Sequence, residues 1–278
     1  MKVLRNIEDM RDFRDDQSRS PLGFVPTMGN LHEGHLSLVR LAGRENRTVV
    51  VSVYVNPTQF NGPEDLAGYP RTWDEDRSLL ESLGVDSVFL PTDEVMYPRG
   101  CSIIVNPGAV AARWEGEHRP GHFEGVCTVV AKLLDIVQPD VAYFGEKDYQ
   151  QLQVIRAMVG DLNLPVTIRC GETIREADGL ALSSRNSLLS PEERNRAPRL
   201  KQTLDHLRAA IRAGRDAAAA LNEERSALAA VGFQVDYLAL VDGASLEPLT
   251  APGENARLLV AARIGAVRLI DNCALYPP

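Results

Sequence analysis

Cysteine is scarce and scattered in this chain. Cys101, Cys127, Cys170 and Cys273 form no C-x-x-C pair, which argues against a disulfide framework and against a thiolate zinc site. Long apolar runs are missing too, so no window has the length of a membrane span. The opening Met1-Lys2-Val3-Leu4-Arg5-Asn6 lacks a signal-peptide core, and a cytoplasmic location without a membrane partner is expected. Positive charge is in deficit: 30 Lys and Arg stand against 38 Asp and Glu, a formal net charge of −8. A general nucleic-acid binder usually carries a basic face, so nucleic acid is not expected as a partner. The deficit also means that any polyanion site must build its field locally, from basic side chains beside glycine turns. Internal repeats and long low-complexity tracts are absent as well.

What remains is a chain of 278 residues, 44% apolar and 24% charged, the composition of a globular protein with a sizeable core and room for two domains. Residues 7–14 fit a short amphipathic helix. An apolar, strand-like Pro21–Val25 leads into Pro26-Thr27-Met28-Gly29-Asn30-Leu31-His32-Glu33-Gly34-His35, and Leu36–Ala42 then carries helical spacing. Thr48–Val55 is a nearly continuous apolar strand, as expected with both faces covered. Helix signals at Trp73–Leu83 and Gly125–Val137 alternate with strand signals at Ser87–Leu90, Ser102–Val105 and Val141–Phe144. A helix opening at Gly145 and running through Met158 precedes a strand at Val166–Arg169. This alternation predicts an α/β, Rossmann-like parallel sheet with helices on both faces, occupying residues 1–172.

Residues 173–278 predict a smaller α+β domain. Ser190 and Pro191 start a helix whose core face is Leu200, Leu204, Leu207 and Ile211. An alanine-rich helix ends near Gly232, and strand-like stretches at Phe233–Val241 and Ala256–Ile270 follow.

The polar, chemically loaded segments fall three times after a strand: after Val25, after Val55 and after Phe144. In a parallel sheet those loops share one edge, where ligands bind. His32 and His35, three apart at a helix start, would add two imidazoles to unpaired backbone N–H groups, a good phosphate site. Surface or capping histidines are the bland alternative and a metal pair another, although no Asp, Glu or Cys follows at a familiar ligand spacing. Gly29 and Gly34 would let an anion approach the backbone. Gly145-Glu146-Lys147-Asp148 offers a turn and a cation, and Ser183-Ser184-Arg185 offers hydroxyls and a guanidinium for phosphate oxygens. Gln59 and Gln151 are neutral amides able to orient a polar substrate. Arg119-Pro120-Gly121 between His118 and His122 makes a helical metal pair there improbable, and His206 reads as an ordinary helix residue.

The histidine turn is similar to the H-x-G-H signature of class I aminoacyl-tRNA synthetase-like nucleotidyltransferases. Within that group, Pro26–His35, Asn56-Pro57-Thr58-Gln59-Phe60, Phe144–Gln151 and Asp178–Asn186, in that order, resemble the pantothenate synthetase (pantoate–β-alanine ligase) family. The resemblance implies ATP-dependent condensation of pantoate with β-alanine through a pantoyl adenylate, with release of AMP and pyrophosphate. It implies that Met28, Gly29, Asn30, Leu31, His32, Glu33, Gly34 and His35 line the ATP phosphates and ribose, with His35 the proton donor. Gly145, Glu146, Lys147 and Asp148 would contact the nucleotide, Ile174 the adenine, and Leu182, Ser183, Ser184 and Arg185 the phosphates from the second domain. Gln59 and Gln151 would hold pantoate with Asn56 nearby, and Phe60, Val126, Val129 and Val130 would wall its methyl groups. ATP as substrate, Mg²⁺ as accompanying ion and a homodimer are implied in the same way; no residue is expected as a dedicated metal ligand. Two rivals remain at this level: a nucleotidyltransferase that keeps the nucleotide in its product, and a nucleotide sensor without turnover.

Overall fold

A computed structural model describes residues 1–16, 18, 20–60, 62–98, 100 and 102–276. Asn61 of the loop after the second apolar strand and Cys101 lie outside the described residues. The chain forms two compact units: Met1–Glu146 with Gln150–Glu172, and Lys147–Tyr149 with Thr173–Pro278.

The first unit is built on a parallel sheet of β1 (Lys2–Leu4), β2 (Leu22–Thr27), β3 (Thr48–Val53), β4 (Ser87–Phe89), β5 (Val141–Gly145) and β6 (Thr167–Gly171). Their spatial order is β1-β4-β3-β2-β5-β6. All six residues of β3 are buried, as a strand covered on both faces must be. Val25, Val49, Val51, Val53 and Val88 turn one face toward Leu38, Val39 and Ala42 of α2 (Glu33–Glu45) and Leu80 of α4 (Trp73–Ser82). The opposite side is covered by α1 (Ile7–Asp15) and α7 (His122–Val137), which pack on each other, with α7 also reaching β2. Three short helices, α3 (Pro63–Ala67), α5 (Asp93–Met96) and α6 (Glu115–His118), sit in the connections. The strand order reverses between β2 and β5: the chain winds outward to β3 and β4 on one side and to β6 on the other. Such a reversal opens a crevice at the carboxyl ends of the two central strands.

Several expectations need correcting. Residues 102–105 form no strand: Ile103 is 81% and Ile104 56% exposed, and the Val105 amide donates to the Thr128 hydroxyl (2.9 Å) instead of to a ladder. The apolar run there coats a loop rather than a sheet. Lys2–Leu4, too short to show a period, is an edge strand paired with β4. The segment after β5 is a 3₁₀ turn, Glu146–Asp148, and the helix proper, α8, spans Tyr149–Asp161.

In the second unit the single helix expected after Ser190 is two. Ser190 caps α9 (Pro191–Arg196) in a reciprocal capping box with Glu193, but Pro198 stops that helix and α10 (Arg199–Arg212) starts afresh. Leu200, Leu204, Leu207 and Ile211 form the buried face of α10. With α11 (Ala217–Ala230) it packs on an antiparallel sheet of β7 (Gln234–Asp242), β8 (Ala256–Ile264) and β9 (Val267–Ala274). The apolar stretch 256–270 is therefore a hairpin, turning where Gly265 takes φ +55°.

Candidate active site

The loop after β2 is held from beneath. The Thr27 hydroxyl donates to the Ser52 carbonyl (2.7 Å) and accepts from the Gly29 amide (3.2 Å). Gly29 (φ +79°) and Asn30 (φ +51°) then take the left-handed conformation in succession. Asp76 compensates. Its carboxylate, 2% exposed on α4, accepts from the Asn30 amide (2.9 Å), the Leu31 amide (2.7 Å) and the Thr72 hydroxyl (3.2 Å). A Cβ on Gly29 would lie 2.9 Å from Asp76 Oδ2, so that glycine makes room for the carboxylate.

His32 is the N-cap of α2 and His35 lies in its first turn, the ring centroids 4.2 Å apart. The Gly34 amide donates to His32 Nδ1 (3.2 Å) and the His32 amide to His35 Nδ1 (3.3 Å). A ring nitrogen that accepts an N–H carries no proton, so these two bonds match the tautomer with the ring proton on Nε2. Gly34 is also explained internally, since a Cβ there would meet His32 Cε1 at 2.9 Å.

Past β3 the 3₁₀ turn Pro57–Gln59 hangs on Asn56, which is 1% exposed. Asn56 Nδ2 donates to Gln59 Oε1 (3.0 Å) and the Gly125 carbonyl (3.2 Å), while its Oδ1 accepts from the hydroxyls of Tyr97 (2.8 Å) and Thr58 (3.0 Å). Gln59 Nε2 in turn reaches Met28 Sδ (3.3 Å), which joins the second loop to the first. His122, 7% exposed, donates from Nδ1 to the Gln59 carbonyl (2.8 Å), and its Nε2 accepts from Arg119 (3.0 Å). Val126, Val129 and Val130 lie on one face of α7, all buried, and Phe60 packs edge-on against Tyr69 with centroids 5.6 Å apart. Gln151 is half-buried in α8; its neighbour Gln150 is buried and braces the carbonyls of Val110 and Arg113.

Gly145 ends β5, next to β2 in the sheet, and Glu146 follows it. Lys147 and Asp148 belong to the second unit; Lys147 Nζ lies 3.8 Å from Asp148 Oδ1 and its side chain is one-fifth exposed. In the same unit the Leu182 amide donates to the Ile174 carbonyl (2.9 Å), closing a loop whose turn is Gly179 at φ +92°. The Ser183 hydroxyl caps the 3₁₀ turn Ser184–Leu188 by accepting from the Arg185 amide (3.2 Å). Arg175 makes a two-pronged pair with Asp271 (2.6 and 2.8 Å); burial disfavours its cation, but the Asp271 bonds outweigh that and raise its pKa.

Sequence patterns do not single out Asp76, nor His122 with Arg119 as supports of Gln59. An acid four residues before the buried Leu80, on the apolar side of a helix, is the available signal for the first. For the second there is none, because His122 follows a glycine at φ +78° that starts α7 earlier than its apolar period does.

The model of the pantoate–β-alanine ligase family matches residues 2–274. This chain belongs to the pantoate–β-alanine ligase family. It is 53% identical to the pantothenate synthetase of Acidiphilium cryptum over 99% of this chain and 100% of that one. The crystal structure of pantothenate synthetase from Thermus thermophilus matches with a TM-score of 0.94 at 50% identity, covering 100% of both chains. The pantoate–β-alanine ligase of Francisella tularensis, crystallised with β-γ ATP and β-alanine, matches with a TM-score of 0.84 at 37% identity over 100% of this chain and 99% of its own. Ligation of pantoate to β-alanine, the reaction implied by the four motifs, is this family's activity. Among the described residues, no helix is long and apolar enough to cross a membrane.

Proposed function

We propose that the chain works through a pantoyl adenylate. A carboxylate oxygen of pantoate attacks the α-phosphorus of ATP, the bond to the β-phosphate oxygen breaks, and pyrophosphate leaves. The neutral amine of β-alanine then attacks the acyl carbon, the acyl–phosphate C–O bond breaks, AMP leaves and the amine loses a proton. The observation that carries this reading is the two-histidine cap of α2 at the reversal between β2 and β5. With each Nδ1 accepting a backbone N–H, each ring offers its proton at Nε2 as a donor to phosphate oxygens.

In this reading His35 and His32, with Lys147, Ser183, Ser184 and Arg185, stabilise the charge that moves onto the α-phosphate and pyrophosphate oxygens. The backbone from Met28 to Gly34, with Gly145, Glu146 and Asp148, cradles the nucleotide, Ile174 meets the adenine, and Leu182 joins the serines at the phosphates. Gln59 and Gln151 hold the pantoate hydroxyls and carboxylate, with Asn56 orienting Gln59. Phe60, Val126, Val129 and Val130 exclude water and accept the paired methyl groups.

Magnesium would accompany the triphosphate, since such ions are usually held by substrate phosphates, waters and one or two protein oxygens rather than by an all-protein cage. When bound it neutralises charge on the phosphate oxygens. A homodimer rests on the family resemblance, and light scattering on the purified chain tests it. For the adenylate route the test is pantoate-dependent exchange of labelled pyrophosphate into ATP with β-alanine left out. Exchange is expected; enzyme that binds ATP yet shows no exchange refutes the route.

A further inference from the structure

Two consecutive residues of β9 grip both candidate site segments of the second unit. The Asn272 side chain, 5% exposed, donates from Nδ2 to the Lys147 carbonyl (3.0 Å). Asp271, also 5% exposed, holds Arg175 in its two-pronged pair, and Arg175 donates to the Gly179 carbonyl (3.0 Å) within the Ile174–Leu182 loop. The two grips are tied together, since the Asn272 backbone N–H donates to Asp271 Oδ1 (2.8 Å).

The orientation of the Asn272 side chain is not arbitrary. Arg257 of β8, 8% exposed, donates to Asn272 Oδ1, and a guanidinium has only donors to offer. The amide oxygen must therefore face Arg257, which leaves the NH₂ for the Lys147 carbonyl. Arg257 is itself placed over the Tyr149 ring, 3.7 Å from guanidinium carbon to centroid. Tyr149 completes the circuit by donating its hydroxyl to the Gly243 carbonyl (2.7 Å) just past β7. Strands β8 and β9 and the residue after β7 thus hold Lys147 and Tyr149, which explains why Lys147–Tyr149 belongs to the second unit although the chain around it belongs to the first.

We propose that Asn272 and Arg257 are positioning residues for Lys147: they clamp its backbone so that the ammonium is delivered to the nucleotide phosphates in one place. This rests on the reading of Lys147 as a phosphate-binding cation. The test is a double-mutant comparison on the full chain, read as pantoate-dependent ATP–pyrophosphate exchange. Asn272→Asp keeps an acceptor for Arg257 but turns an oxygen toward the Lys147 carbonyl. Misplacing a charge-stabilising group commonly costs about tenfold to a hundredfold, and exchange should fall by that much. Lys147→Ala should be slow alone, and adding Asn272→Asp to it should slow it no further. Arg257→Lys, which keeps a donor but loses the stacked plane, should show the same pattern more weakly and replaces Asn272→Asp should that variant not fold. If Asn272→Asp slows the Lys147→Ala enzyme by the same factor as the wild type, the clamp is merely structural and the proposal is wrong. If Lys147→Ala exchanges as fast as the wild type, the reading of the lysine itself fails, and the clamp with it.

Discussion

Asp76→Asn is the sharpest single perturbation of the loop after β2. The carboxylate accepts the amides of Asn30 and Leu31 at 2.9 and 2.7 Å while 2% exposed. An asparagine of the same shape can accept only one of them and must point an NH₂ at the other. One hydrogen bond to a charged group is lost, about 1.5–3 kcal/mol, and a buried N–H is left without a partner. A total of about 2–3 kcal/mol corresponds to roughly 4–12 °C in Tm for a chain this size. The damage is directed, because Gly29 and Asn30 hold left-handed conformations that the carboxylate stabilises. Differential scanning calorimetry should show the fall in Tm, and steady-state kinetics should show KM for ATP rising severalfold more than KM for β-alanine. An Asp76→Asn enzyme that melts within about 2 °C of the parent, with KM for ATP unchanged, would refute the reasoning.

Three further outcomes are expected. In Gly125→Ala the new Cβ would sit 2.3 Å from the Thr58 carbonyl oxygen and 2.8 Å from Gln59 Cα, so the Pro57–Gln59 turn must shift; KM for pantoate should rise, with about 1–3 kcal/mol lost in a thermal melt. Burial pushes the Cys127 thiol up to about 12, leaving a thiolate fraction on the order of 10⁻⁴ at pH 8, so a maleimide should label the exposed Cys170 in the native chain and Cys127 only in denaturant, as peptide mass spectrometry will show. The Arg194 hydrogen bond holds Asp178 below the ordinary value of 3.8, so its contribution is complete above about pH 4 and disappears as pH falls through the lowered value. The Tm gap between the wild type and Asp178→Asn should therefore be constant at neutral pH and close in acid, and it should be small, since an exposed pair contributes under about 1 kcal/mol.

The parallel sheet is legible in the sequence because β3 and β5 are nearly continuous apolar runs, and because three of the chemically loaded loops directly follow a strand. The histidine turn is legible for the same reason. Less visible is what holds these loops in shape. Asp76, His122, Arg257 and Asn272 act from far along the chain, with separations from 45 residues for Leu31–Asp76 to 125 for Lys147–Asn272, and no local period records such pairings. Ser102–Val105 misleads in the opposite direction: β-branched residues there satisfy a strand pattern, yet the amide of Val105 is taken by a helix hydroxyl rather than by a neighbouring strand. Pro198 divides what leucine spacing alone reads as one helix, and the glycines of the histidine turn serve Asp76 and the His32 ring before they serve any ligand.

The place of β5 in the sheet also sets a schedule for biogenesis. The Leu22 amide is bonded to the Asp140 carboxylate (2.7 Å) across 118 residues of chain. At about 5–20 residues per second on the ribosome, the side of β2 that faces β5 stays unpaired for on the order of 6–24 s after it is made. The junction of β2 with β5 is thus completed late in translation, and that border of β2 stays bare until then.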